Sequence, residues 1–290
     1  MTLEGRIIKG IGGFYYVDTA DGVFECRARG VFRKEKITPL VGDMVKIMLD
    51  ETSKTGAVEE ILPRKNVLLR PPVANVSQMA VVVATANPRP NLLLLDKLIA
   101  SAELADIHPL ICWNKTDLDS GEMFAELYQN AGFDVLLLSA ETGFQVEALK
   151  EKLKNEVTVF AGNSGVGKSS LLNQIFGEDA FQTGAVSTRV ERGKHTTRHS
   201  ELKALPFGGY IIDTPGFGSF DLSLLAPENM AELFREFHDF TDGCLFRDCS
   251  HTVEKGCNVL RAVEEGRIAK SRHESFCVLV QEIKEANKRR

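Results

Sequence analysis

The first 68 residues alternate apolar and polar side chains in short runs: GRIIKGIGGFYYVDT, GVFECRARG, VGDMVKIML and GAVEEILPRKNVLLR. The turn pairs Gly12-Gly13, Asp21-Gly22 and Gly42-Asp43 punctuate them, and no helix-period segment of useful length intervenes. About five strands in roughly 65 residues predict a small β-barrel, with the OB-fold foremost. That fold commonly binds oligonucleotides; a barrel that serves packing alone is the competing reading.

From about residue 69 the period changes. QMAVVVATA, HPLICWN, DVLLLSA, EVTVFAG and GGYIIDTPG read as buried strands, and NLLLLDKLIASAELADI, EMFAELYQNAG, QVEALKEKLK and KSSLLNQIFG read as helices. Such alternation predicts a mostly parallel sheet with helices on both faces. Beyond Phe220 no strand is evident; PENMAELFREFHDF and CNVLRAVEEGRIAKSRHESFCVLVQEIKEANKRR are predicted helical, with a cysteine-bearing loop between them. The expected protein is therefore a multidomain α/β chain, with a barrel over 1–68, a P-loop α/β domain over 69–220 and a small helical domain over 221–290.

At 290 residues, with 43% hydrophobic and 26% charged positions, the chain has the composition of a folded protein, not of a disordered one. No 20-residue apolar span occurs, and the opening MTLEGRIIKG lacks the apolar core of a secretory signal, so a cytoplasmic protein with reduced thiols and no membrane partner is expected. The net charge of -5 gives no global basic field, but RARGVFRKEK (27–36) and RVERGKHTTRH (189–199) concentrate positive charge locally.

GNSGVGKSS, beginning at Gly162, carries a G-x-x-x-x-G-K-[ST] phosphate loop between a strand and an amphipathic helix, the context that motif requires. Gly162, Gly165 and Gly167 let the backbone N–H groups of the loop, which includes Asn163, Ser164 and Val166, curl around phosphate oxygens. Lys168 reaches the β and γ phosphates, Ser169 offers a hydroxyl to Mg2+, and Ser170 opens the helix behind them. Downstream, Asp213 and Gly216 form a D-x-x-G at a strand end, suited to a water-mediated Mg2+ contact and a γ-phosphate contact respectively. Between these motifs lies GKHTTRH, in which Thr197 is favoured over Thr196 as a switch hydroxyl that completes the Mg2+ shell when a γ phosphate is bound.

NKTD, from Asn114 through Lys115 and Thr116 to Asp117, supplies base recognition. The Asp117 carboxylate can accept from guanine N1–H and N2–H2 together, a pair adenine does not offer, which argues against an ATP-using enzyme. SAETG adds Ser139 and the backbone N–H of Ala140 as a second base loop. The order is base loop, second base loop, phosphate loop, switch threonine, D-x-x-G: the usual GTPase cycle cut after D-x-x-G and rejoined elsewhere. A site assembled from loops at strand ends tolerates such a circular permutation.

CLFRDCSHTVEKGC places Cys244, Cys249, His251 and Cys257 in a C-x4-C-x-H-x5-C pattern, a full tetrahedral set for one structural Zn2+. Cys26, Cys112 and Cys277 sit in apolar patterns and are expected to be small core residues.

These motifs together resemble the RsgA family of circularly permuted ribosome-associated GTPases, also called YjeQ or YloQ, over essentially the whole chain. The resemblance implies GTP hydrolysis activated by the small (30S) ribosomal subunit, a role in its late maturation, GTP/GDP and 16S rRNA as partners, and rRNA contacts by the two basic clusters. A monomer is expected. A nucleotide-gated RNA-binding assembly factor in which hydrolysis is incidental is the alternative. Many GTPases place a water-orienting glutamine after the D-x-x-G glycine, where this chain has Phe217. His195 is the nearest candidate to replace it, with rRNA docking as its alternative role.

Overall fold

The computed structural model describes residues 1–30, 32, 36–50, 55–69, 72–177, 200–213 and 226–288. Strands β1 (Thr2–Ile11), β2 (Phe14–Thr19), β3 (Gly22–Ala28), β4 (Met44–Leu49) and β5 (Thr55–Ile61) form the expected five-stranded barrel. β1 pairs antiparallel with both β2 and β4, β2 with β3 and β4 with β5, while β3 runs parallel to β5 and completes the circuit. A register shift in β1 between Ile7 and Lys9 marks a bulge, the device that bends one long strand around two neighbours. Alternating residues Ile7, Val17, Cys26, Val45, Ile47 and Val58 fill the interior with no solvent exposure. At the barrel rim the buried Asp43 carboxylate accepts two bonds from Arg64, at 2.6 and 2.7 Å, and one from the Leu40 N–H. A hairpin of β6 (Val67–Leu69) and β7 (Pro72–Ala74) follows.

The alternating part begins with β8 (Gln78–Ala84), buried along its length, then α1 (Leu92–Leu104), β9 (His108–Asn114), α2 (Glu122–Asn130), β10 (Asp134–Leu137), α3 (Val146–Leu153), β11 (Val157–Ala161) and α4 (Lys168–Phe176). Two more strands come later, β12 (Glu201–Ala204) and β13 (Tyr210–Asp213). β10 is parallel to β9 and β11 to β13, but β12 lies antiparallel to β13 and touches β1 at Lys9 and Glu201, so the pairing is mixed. The short strand β12, ELKA, has too few residues and too weak an alternation to be read from sequence.

The chain divides into two compact units. One comprises Met1–Met79, Lys150–Phe160 and Gly184–Phe217; the other comprises Ala80–Leu149, Ala161–Thr183 and Gly218–Arg290. In the second unit the C-terminal segment is less continuously helical than its pattern predicts. Pro227–Leu233 and Arg235–Phe237 are 3-10 turns parted by an extended Phe234, and α5 is only His238–Thr241. α6 (Asn258–Glu264) ends just before Gly266, whose φ of +73° no helix accommodates, and α7 (Lys270–Lys288) starts afresh.

These C-terminal helices share an apolar core with α1. Met230, Phe234, Phe237, Val259, Phe276, Leu279 and Ile283 pack with Ala100 and Leu93. Within the same region Arg272 is 1% exposed, donating to Asp96 of α1 at 2.6 Å and to Glu236 at 2.6 and 3.1 Å. Its guanidinium also lies over the rings of Phe234, Phe133 and Tyr128, and Tyr128 donates to Asp96 at 2.7 Å. A buried arginine held this way by two carboxylates is neutralised where it sits.

Candidate nucleotide-binding site and metal centre

Asn114 ends β9 and is 1% exposed, so its amide must find partners inside the protein. Nδ2 donates to the Val166 carbonyl of the phosphate loop at 2.8 Å, and Oδ1 accepts from the Ala140 N–H of the second base loop at 3.0 Å. One side chain thus clamps three loops that are far apart in the chain. The clamp depends on glycine: a Cβ on Gly167, at φ +97°, would lie 2.2 Å from Asn114 Nδ2, and one on Gly162, at φ +132°, would lie 2.2 Å from the Val82 carbonyl.

The remaining base-loop residues are held in turn. The Thr85 hydroxyl donates to the Lys115 carbonyl at 2.8 Å, and Lys115, itself left-handed at φ 69°, reaches the Asn87 carbonyl with its ammonium. Thr116 N–H donates to the Leu138 carbonyl at 3.3 Å. Asp117 accepts from the Ser139 hydroxyl at 2.5 Å, and that hydroxyl accepts from Thr142 N–H, so Ser139 orients the carboxylate that would read the base. Thr85 and Asn87 carry no motif and were invisible in the sequence.

In the phosphate loop, Lys168 donates to the carbonyls of Gly162 and Asn163 at 2.7 and 2.6 Å, and burial lowers its pKa from the ordinary lysine value. Residues 164 to 167 turn tightly into the first residue of α4, and backbone N–H groups at a helix start suit an anion. Ser169 and Ser170 stand in the first turn of α4. Asp213 is the last residue of β13, whereas His195, Thr197 and Gly216 lie outside the described residues.

The cysteine cluster assembles fully. The ligand atoms of Cys244, Cys249, His251 and Cys257 lie within 4.8 Å of one another. Cys244 Sγ is 3.5 Å from His251 Nδ1 and 3.8 Å from Cys257 Sγ, and Nδ1 is 3.4 Å from Cys257 Sγ. Zinc bonds of about 2.0–2.3 Å in a tetrahedron require ligand atoms roughly 3.3–3.8 Å apart, so Cys244, His251 and Cys257 stand at ligand spacing, and Cys249, within 4.8 Å of them, supplies the fourth ligand atom of a set that suits the ion. Burial pushes the Cys249 thiol up to about 12, the electrostatic strain a divalent cation relieves, and lowers the His251 imidazole toward the neutral form that ligates.

Glu254 shapes the loop between ligands, accepting from the N–H groups of Ser250, Thr252 and Val253 and from the Ser250 hydroxyl. Burial opposes its ionisation, but these hydrogen bonds prevail and hold the carboxyl at about 2. Of the other cysteines, Cys26 and Cys112 are buried core residues as expected, and Cys277 is half-buried.

The chain matches the RsgA GTPase family over residues 61–223 and the RsgA N-terminal domain over residues 4–58. Proteins named small ribosomal subunit biogenesis GTPase RsgA are similar over nearly their full length. The one from Ruminiclostridium cellulolyticum is 46% identical over 286 residues, 97% of this chain and 94% of the relative. The one from Caldanaerobacter subterraneus subsp. tengcongensis is 47% identical over 291 residues, covering 99% and 98%. Among solved structures, that of YloQ, described as a circularly permuted GTPase, superposes with a TM-score of 0.84 at 36% identity, covering 98% of this chain and 96% of that one. YjeQ from Thermotoga maritima gives 0.85 at 34% identity, covering 98% and 99%.

Proposed function

The chain belongs to the RsgA family of GTPases, and from that premise we infer that it hydrolyses GTP in the biogenesis of the small ribosomal subunit. The observation that carries this reading to the residues is the Asn114 clamp, which joins a phosphate loop to a guanine-reading loop in the permuted order. Asp117, oriented by Ser139, selects guanine; the backbone amides of the phosphate loop and the ammonium of Lys168 hold the phosphates.

Ser169, Thr197 and, through water, Asp213 are assigned to Mg2+, with Gly216 N–H on the γ phosphate. Bound Mg2+ would neutralise charge developing between the β and γ phosphates. Phe217 cannot orient water, so turnover of the free protein is slow, and His195 positions the attacking water once a 30S subunit is bound. The four-ligand cluster holds one structural Zn2+.

Division at 68 and 220 separates an rRNA-binding barrel, the GTPase and the zinc domain, in a cytoplasmic monomer that meets 16S rRNA through its basic clusters. In the barrel cluster, Arg27 lies over Phe14 and Arg29 pairs with Glu59. The deciding experiment is steady-state GTP turnover with and without 30S subunits. Stimulation is expected, and equal rates in the presence of demonstrated 30S binding would refute subunit activation.

A further inference from the structure

We propose that His273 positions a ligand of the zinc centre: its imidazole N–H holds the backbone of the ligand His251 in the conformation that presents Nδ1 to the metal. The proposal rests on the reading of the three cysteines and His251 as a zinc site. His251 has φ 56°, a left-handed conformation disfavoured for a residue with a Cβ, so something outside its own peptide must hold it.

His273 Nε2 lies 2.8 Å from the His251 carbonyl oxygen. A carbonyl only accepts, so Nε2 carries the hydrogen and donates. The donor is itself fixed: His273 is 8% exposed, and its ring packs against Phe237 and Phe276 with centroids 6.3 and 6.1 Å away. Without that N–H the carbonyl of a buried residue loses its partner, the left-handed turn relaxes, and Nδ1 leaves its place 3.4 Å from Cys257 Sγ.

Placement on α7 adds a consequence. The preceding residue, Arg272, is pinned to Asp96 and Glu236, so two consecutive residues of one helix anchor the zinc loop and the α1 contact.

The test uses the full-length, zinc-loaded protein and follows zinc transfer to a colorimetric chelator over time. His273→Leu keeps an apolar body but has no donor; His273→Gln places an amide N–H near the position of Nε2. His273→Leu is expected to release zinc about ten- to a hundredfold faster than wild type, and His273→Gln to stay within about threefold of it. Both are expected to keep GDP binding and the native far-UV spectrum, and in Co2+-loaded protein the tetrahedral d–d bands weaken in His273→Leu only. Release from His273→Leu at the wild-type rate overturns the proposal. So does equally fast release from both variants, which would trace the loss to ring packing. Wild-type protein purified without zinc, and unable to bind it, removes the zinc reading and this proposal with it.

Discussion

Asn114 shows how much one buried amide can be made to do. Removing it in Asn114→Ala strips the Val166 carbonyl and the Ala140 N–H of their partners, at a cost of about 1–3 kcal/mol. The three loops it joins then lose their common register, so isothermal titration should show GDP affinity reduced by about tenfold or more. Asp117→Asn acts differently. An amide presents a donor where the carboxylate accepted, so preference should shift from guanine toward xanthine, whose C2 carries an acceptor. Competition between GTP and xanthosine triphosphate checks this, and unchanged GTP preference contradicts the assignment. His195→Ala should retain GTP and 30S binding while losing most subunit-stimulated turnover; lost 30S binding would make His195 a docking residue instead. NKTD was legible because base reading imposes residue types at fixed spacing, whereas Thr85 and Asn87 act through a hydroxyl and a backbone carbonyl that no spacing rule marks.

Helix α7 gathers its partners from the whole second unit. Arg272 reaches Asp96 across 176 positions of sequence, and both side chains are essentially unexposed. Removing Asp96 leaves the buried Arg272 with Glu236 as its one carboxylate and strips the buried Tyr128 hydroxyl of its acceptor. Asp96→Ala should therefore destabilise the protein by about 3–5 kcal/mol, read from urea unfolding. The triple variant Asp96→Leu, Glu236→Leu and Arg272→Leu should recover much of that loss, because no charge is then stranded, whereas keeping Glu236 would leave its buried carboxylate without a cation. The amphipathic period of α7 was readable, and so were the strands of the barrel, since burial on one face writes itself into the period. The breaks before α7 were not: Phe234 is extended and Gly266 left-handed, and either residue is tolerated in a longer helix.

For the whole molecule, circular permutation places the D-x-x-G segment directly before the C-terminal helices, but those helices are not free of the nucleotide-binding part. They share its core through Ala100 and Leu93 and its electrostatics through Asp96. Chelating the zinc should accordingly lower the melting temperature and increase proteolysis after about residue 226, while GDP affinity measured at low temperature stays near its starting value. A large loss of GDP affinity on chelation would mean that the cluster supports the base and phosphate loops directly.

The amino-acid sequence by itself determined the chemistry available: phosphate loop, base loop, four metal ligands, and an order of motifs that allows only a permuted sheet. It also determined the barrel, because alternation with regular turns leaves few other ways to bury one face of each strand. Tertiary structure alone decided which distant groups meet. Asn114 could have fixed only its own turn, yet it bridges to Val166; Arg272 could have been a solvated helix residue, yet it is buried between two acids; His273 could have been plain core, yet it faces the His251 carbonyl. Local pattern records a residue's period and chemical type, whereas the partner of a buried polar group is set by which elements pack together, a property of the assembled chain.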